Sequence, residues 1–192
     1  MKVTGIMDTS HSLPDEALCK SRRWHDRDLM DLPTHQLTMT VLMTPDTANF
    51  AGNVHGGHLL KWLDQVAYAC ASRYSGRYVV TISVDQVTFR EPIFVGELVT
   101  FLASVNYTGT SSMEVGIKVS AQEIRSQRVR HVNSCFFTMV AVDDDRKPVP
   151  VPPLHPSSPD EKRRFEAAKL RKELRMEMQS RFQAARSQAQ HP

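Results

Sequence analysis

The segment HLLKWLDQVAYACASRY, residues 58–74, carries one carboxylate, Asp64, in a run where most other residues are apolar. An unpaired carboxylate buried in such a segment costs several kcal/mol. Asp64 is therefore expected to be ion-paired (Arg90 is one candidate), hydrogen-bonded, or functional. The loop just before it, Asn49-Phe50-Ala51-Gly52-Asn53-Val54-His55-Gly56-Gly57, ends in two glycines where a helix would begin. Glycine lets a ligand approach the backbone closely. The first N–H groups of a helix are unpaired donors at its positive end. A reacting carbonyl placed there would have its developing oxyanion stabilised by the N–H of Gly57 or a neighbour.

His55 and His58 flank the glycines at a spacing of three, but no carboxylate or Cys cluster completes a ligand set, so no metal site is expected. His55 is expected to be a hydrogen-bonding residue of the loop. Cys19, Cys70 and Cys135 are too few and too scattered for a disulfide framework or a zinc site. Cys70 and Cys135 lie in apolar segments and are expected as buried, reduced thiols.

The elements that must position these residues follow from periodicity. Residues 35–43, HQLTMTVLM, alternate well enough for a strand. Residues 58–74 contain no Gly or Pro and are apolar over much of a helical circumference, so this helix should be buried on most sides, with Gly76 ending it. Four strands are expected after it, at residues 78–89, 97–107, 111–124 and 129–142, joined by hairpin-length connections into an antiparallel sheet. In the third of these, Met113, Val115, Ile117 and Val119 alternate with polar residues, the pattern of a sheet with one wet face. The helix is the element able to cover the apolar face. The expected class is α+β: one long central helix wrapped by a curved antiparallel sheet, the hotdog fold.

Domain organisation follows from composition. Residues 1–30 show no periodicity and read as a poorly ordered leader, residues 31–145 as the hotdog domain, and residues 146–157 as a Pro-rich extended linker. Ser158-Pro159-Asp160-Glu161 is a capping box opening an amphipathic C-terminal helix over residues 158–186. Phe165, Leu170, Leu174, Met178 and Phe182 lie along one side of it, a stripe expected to dock on the protein's own oligomer. Net charge is +3, but residues 31–159 carry −1 and residues 160–192 carry +4, so nothing suggests a nucleic-acid-binding core. No apolar run is long enough to span a bilayer and no signal-peptide stretch opens the chain. A soluble cytoplasmic protein without stable membrane insertion is expected.

NFAGNVHGGHLLKWLDQVAYACASRY, followed by FREPIFVGELVTFLASVNYTGTSSMEVGIKV and FFTMVAVDDDRKPVPVPPL, resembles the acyl-CoA thioesterases of the YciA and brain acyl-CoA hydrolase group. The resemblance covers residues 36–155, and the tail PDEKRRFEAAKLRKE is similar to the end of the brain-type enzymes. It implies hydrolysis of a fatty acyl-CoA to a fatty acid and free CoA, with no metal or organic cofactor. It also implies a catalytic pair, Asp64 on the helix and Asn49 in the loop, meeting across a dimer interface. Asp64 would act as general base on water, or as nucleophile. Asn49 would accept from the water and donate to the carbonyl, and Gly57 would supply the oxyanion donor. Asn53, His55 and Gly56 are candidate substrate contacts. Ser111 and Ser112 either contact CoA or merely polarise a hairpin; Arg90 either meets a CoA phosphate or pairs with Glu91. The two-domain relatives split Asn and Asp between repeats, so one hotdog unit should form a homodimer with two sites, assembling further as a trimer of dimers.

Two other readings use the same residues. A hotdog hydratase or dehydratase would pair His58 with Asp64, but the helix lacks the Asp-x4-His spacing of hydratases. A non-enzymatic acyl-CoA-binding regulator would need a DNA-binding helix pair, for which the leader has no pattern.

Overall fold

The structure, a computed structural model, describes residues 33–189; the leader assigned to residues 1–30 lies outside them. The elements run β1 (Gln36–Leu42), a 3-10 turn (Pro45–Thr47), α1 (Gly56–Ser75), β2 (Tyr78–Val84), β3 (Leu98–Thr108), β4 (Ser112–Gln122), β5 (Val129–Val142) and α2 (Pro159–Ala189). All five strands form one antiparallel sheet in the order β1-β3-β4-β5-β2, leaving β1 and β2 as its edges.

The core lies between α1 and one face of this sheet. Leu59, Leu63, Val66, Ala67, Cys70 and Ala71, spaced by three and four, form the buried stripe of α1. Phe101, Val105, Val115, Ile117, Phe137 and Met139 meet it from the strands. Gly76, at φ 64°, closes the helix in a left-handed cap that a side chain would strain.

Burial of α1 on most sides is not what the protomer shows. One sheet covers one side of a helix, and the opposite face, with Leu60, Asp64 and Tyr68, is open. Leu60 and Tyr68 remain 40% and 41% exposed, so the apolar residues that suggested all-round burial lie partly at the surface. The strand expected at 78–89 is also shorter. After Val84 the chain leaves the ladder and residues 85–97 cross from the β2 edge to β3, because β2 pairs with β5. The connection is a crossover and not a hairpin. Alternation persists to Phe89 because this stretch still runs beside β5, with Asp85 N–H donating to Phe136 and Arg90 N–H to Val132.

The Pro-rich segment is extended and tied down: Val151 N–H donates to Thr110 and Leu154 N–H to the Thr108 hydroxyl. At the start of α2 the capping box is reciprocal. Glu161 N–H donates to Ser158 Oγ, and Ser158 N–H donates back to the Glu161 carboxylate. Donation from Ser157 N–H, with that of Ser158, pulls the Glu161 pKa down to about 2.

The face of α2 that packs on the protomer's own sheet shares Phe165 with the apolar stripe and is otherwise distinct from it. Phe165 stacks on Tyr107 with ring centroids 5.2 Å apart, and Ala168 is fully buried. Arg171 lies over the Phe136 ring and forks onto the buried Glu114 at 2.6 and 3.2 Å. Leu170, Leu174, Met178 and Phe182 are more than half exposed. A long side chain with a charged head covers apolar surface as Leu would, so Arg171 packs on the sheet while the rest of the stripe stays open for an oligomer contact.

Cys70 and Cys135 are buried and free, and burial pushes both thiols up to about 12. Their thiolate fraction at pH 8 is then on the order of 10⁻⁴, too small for ready reaction with a disulfide reagent. Neither cysteine is expected to be modified in the native protein by a chromogenic thiol reagent at pH 8. Both should react after unfolding, as peptide mass mapping would check.

Candidate active site

The sequence places a sharp loop ahead of α1, and the structure shows what holds it. Asn49 Oδ1 accepts from Ala51 N–H at 2.9 Å and from Asn53 N–H at 3.1 Å. Asn49 N–H in turn donates to Asn53 carbonyl, and Gly52 takes φ 81° between them. The loop is stitched to the crossover through Val54 N–H on Ile93 carbonyl, and to the 3-10 turn through His55 N–H on Thr47 carbonyl. Phe50 projects from its tip fully exposed.

These bonds fix the orientation of the Asn49 amide and consume its oxygen. Asn49 thus presents its NH₂ as a free donor, and the expectation that it also accepts from a water does not fit this loop.

His55 caps α1, its Nδ1 accepting from Gly57 N–H at 3.0 Å. The Nδ1 atom is therefore the acceptor in this bond. A Cβ at position 57 would approach that nitrogen to 3.2 Å, so glycine lets the imidazole fold over the helix start. The same bond occupies the donor assigned to the oxyanion. Gly56 N–H, one residue earlier, has no partner among the described residues.

Asp64 lies on the open face of α1 and is exposed, not buried as its apolar neighbours in the sequence imply. It accepts a hydrogen bond from the Thr81 hydroxyl at 2.7 Å. No ion pair with Arg90 forms. The groove beside it, about 350 Å³, is lined by Asp64, Gln65 and Tyr68 of α1 and by Tyr78–Thr81 of the β2 edge. Thr81 went unmarked in the sequence, where it is one polar residue in an alternating strand; only the pairing of β2 against α1 reveals it.

The remaining candidates scatter. Arg90 is exposed on the crossover, and Glu91, its suggested partner, is taken by Arg130 at 3.2 Å. Ser112 is in register with Val140, itself opposite Val80, which puts it two strands away from the β2 edge. Ser111 precedes it in the hairpin, its carbonyl accepting from Ala141 N–H. Within the protomer no hydrogen bond joins Asn49 to Asp64, so one chain brings Asp64 and Thr81 together and leaves Asn49 apart. Among the described residues no helix is long and apolar enough to cross a membrane.

Known proteins resemble this chain in sequence and in fold. A model of the thioesterase superfamily matches residues 51–127. Protein VdlD of Helicobacter pylori is 53% identical over 140 residues, which cover 73% of this chain and 80% of that protein. Among solved structures, a hexameric acyl-CoA thioesterase superposes with a TM-score of 0.73 at 34% identity, over 76% of this chain and 93% of that one. An acyl-CoA hydrolase of Staphylococcus aureus, in complex with butyryl coenzyme A, coenzyme A and coenzyme A disulfide, gives a TM-score of 0.73 at 30% identity, over 79% and 93% of the two chains. Three further structures of that hydrolase carry single alanine substitutions, at an Asp, an Asn and a Thr. The three substituted positions are spaced as Asp64, Asn49 and Thr81 are here.

Proposed function

Since this chain belongs to the thioesterase superfamily, with the hotdog fold of the acyl-CoA hydrolases, we propose that it hydrolyses fatty acyl-CoA at a site built around Asp64 and Thr81. The chain is a thioester hydrolase; the substrate's acyl chain, the residue roles and the assembly are the proposal. The observation that carries it is the Asp64 carboxylate held at 2.7 Å by Thr81 in a groove along an unpaired strand edge.

In this reading water attacks the thioester carbonyl carbon while Asp64 takes its proton. The C–O bond forms as the carbonyl π electrons move onto oxygen. That oxyanion is met by the Gly56 N–H, and by Gly57 N–H when His55 releases it. The free NH₂ of Asn49, from the neighbouring subunit, donates to the same oxygen. Collapse re-forms the carbonyl, breaks the C–S bond and expels the CoA thiolate, which recovers the proton from Asp64. Thr81 keeps the carboxylate aimed at the water. The steps need no metal and no organic cofactor. A nucleophilic Asp64 would pass instead through a mixed anhydride, with the same products. Asn53 and His55 shape the entry loop, while Arg90, Ser111 and Ser112 stay candidates for the CoA moiety across the assembled interface.

Assembly is part of the site. The β2 edge presents unpaired backbone groups and the exposed Tyr78, Ile82 and Val84. An open edge of this kind must be paired or covered. Two protomers joined through β2 would cover the open face of α1 near Leu60 and Tyr68. The partner's loop, led by Phe50, would bring its Asn49 to Asp64. Dimers would associate further as a trimer of dimers in the cytoplasm.

A series of acyl-CoA substrates of increasing chain length, followed by release of the CoA thiol, tests the activity. Thiol release from saturated acyl-CoA is expected. Loss of enoyl absorbance from an enoyl-CoA without thiol release would instead make the protein a hydratase, and neither signal would leave a binding protein.

A further inference from the structure

The helix α2 is longer than the sheet it crosses. Its contacts run from the β1 edge towards the β2 edge, with Lys172 reaching back to Tyr107 on β3 and Arg175 to Glu114 on β4. Glu161 meets His35 just before β1, Phe165 meets Tyr107 on β3, Arg171 meets Glu114 on β4 and Phe136 on β5, and Arg175 meets Asp85 just past β2. Residues 161 to 175 rise about 21 Å at 1.5 Å each. Five strands at 4.8 Å spacing span about 19 Å. By Arg175 the helix has come within side-chain reach of the β2 edge, and residues 176–189 continue for about another 20 Å.

The projecting part keeps the docking face. The contact residues Glu161, Phe165, Ala168 and Arg175 recur at helical spacing, and the same line continues through Met178 and Phe182. Those two side chains are 54% and 61% exposed, along a groove of about 770 Å³ that runs from Tyr107 and Ser112 past Thr138 to Ile82 of β2. A face that buries its residues on the chain's own sheet thus runs on, apolar, past the last strand. What would lie there is set by the edge itself: a second copy adding its β2 continues the sheet under the helix.

We infer that residues 176–189 of α2 cross the dimer two-fold axis and lie on the outer sheet face of the partner subunit. Each protomer straps the other, and the two projecting segments run antiparallel on the face opposite α1. This rests on the β2-edge dimer of the preceding section. It assigns the strap to the dimer contact, not to contacts between dimers.

The test uses the full-length chain with the paired substitutions Met178→Glu and Phe182→Glu, both exposed in the protomer and so harmless to its fold. Self-association is followed by mass photometry over a dilution series, and amide hydrogen exchange by mass spectrometry. Dimer dissociation is expected to be on the order of 10-fold to 100-fold easier in the variant, the scale of losing two large apolar side chains from a contact. Residues 176–189 should be protected in the wild-type dimer and exchange freely in the variant, while residues 159–175 stay protected in both. A variant that dimerises like wild type would overturn the inference, as would rapid exchange of 176–189 in the wild-type dimer. So would a hexamer that falls to dimers with the dimer constant unchanged, since the strap would then hold dimers together. A wild-type chain that is monomeric at micromolar concentration would sink the dimer reading itself.

Discussion

Asp64→Ala is expected to lower kcat on the order of 10²-fold to 10⁴-fold while leaving CoA affinity and folding nearly unchanged, the loss typical of a general base. The carboxylate is exposed and makes one side-chain hydrogen bond, to Thr81, so removing it costs about 1 kcal/mol of stability or less. Asp64→Asn separates the two roles. The amide oxygen still accepts from the Thr81 hydroxyl, but it cannot take a proton from water, so Asn should be nearly as inactive as Ala. Thr81→Ala leaves the base and removes its restraint; a smaller fall in kcat is expected, partly recovered by Thr81→Ser. Steady-state kinetics by thiol release, with melting curves and CoA titrations of each variant, measures all of this. Near-normal turnover by a folded Asp64→Asn protein would remove Asp64 as base.

How much of this was legible beforehand depends on range. The α1 element, the five strands, the capping box at Ser158 and Glu161 and the glycine loop are local patterns, and the chain wears them openly. The sheet order was not legible, because periodicity reports which residues are strand and not which strands pair. Alternation ran smoothly through Val84 to Phe89, and nothing in it marked the crossover. The apolar neighbours of Asp64 imply burial, whereas in the protomer Leu60 and Tyr68 face outward. That same exposed apolar face is the mark of a surface awaiting a partner. Thr81 and the occupied Asn49 oxygen needed coordinates, since each depends on a contact between elements or a loop closed on itself.

The composite site makes the second large expectation. If Asn49 of one subunit serves Asp64 of its neighbour, Asn49→Ala and Asp64→Ala each inactivate a homodimer through different halves of the same site. Mixing the two inactive proteins under conditions of subunit exchange creates heterodimers in which one site carries both lesions and the other is intact. With equal mixing about half the dimers are heterodimers, each with one of two sites restored, so activity should return to about one quarter of wild type. This holds for random exchange and independent sites. Because the Asn49 oxygen organises its loop, Asn49→Ala also loosens residues 51–53. Asn49→Asp keeps that acceptor while deleting the donor, and it should complement equally well in the intact half. The Thr81 contact supplies a control that geometry alone dictates. Thr81 and Asp64 of one chain touch, so in a mixture of Thr81→Ala with Asp64→Ala every site keeps a lesion and activity should not rise above that of the Thr81 variant. Native mass spectrometry must show that exchange has occurred. If heterodimers form and Asn49→Ala with Asp64→Ala stays inactive, the two residues do not share a site across the interface. If instead the Thr81 mixture recovers, the pairing of Thr81 with Asp64 within one chain does not serve catalysis.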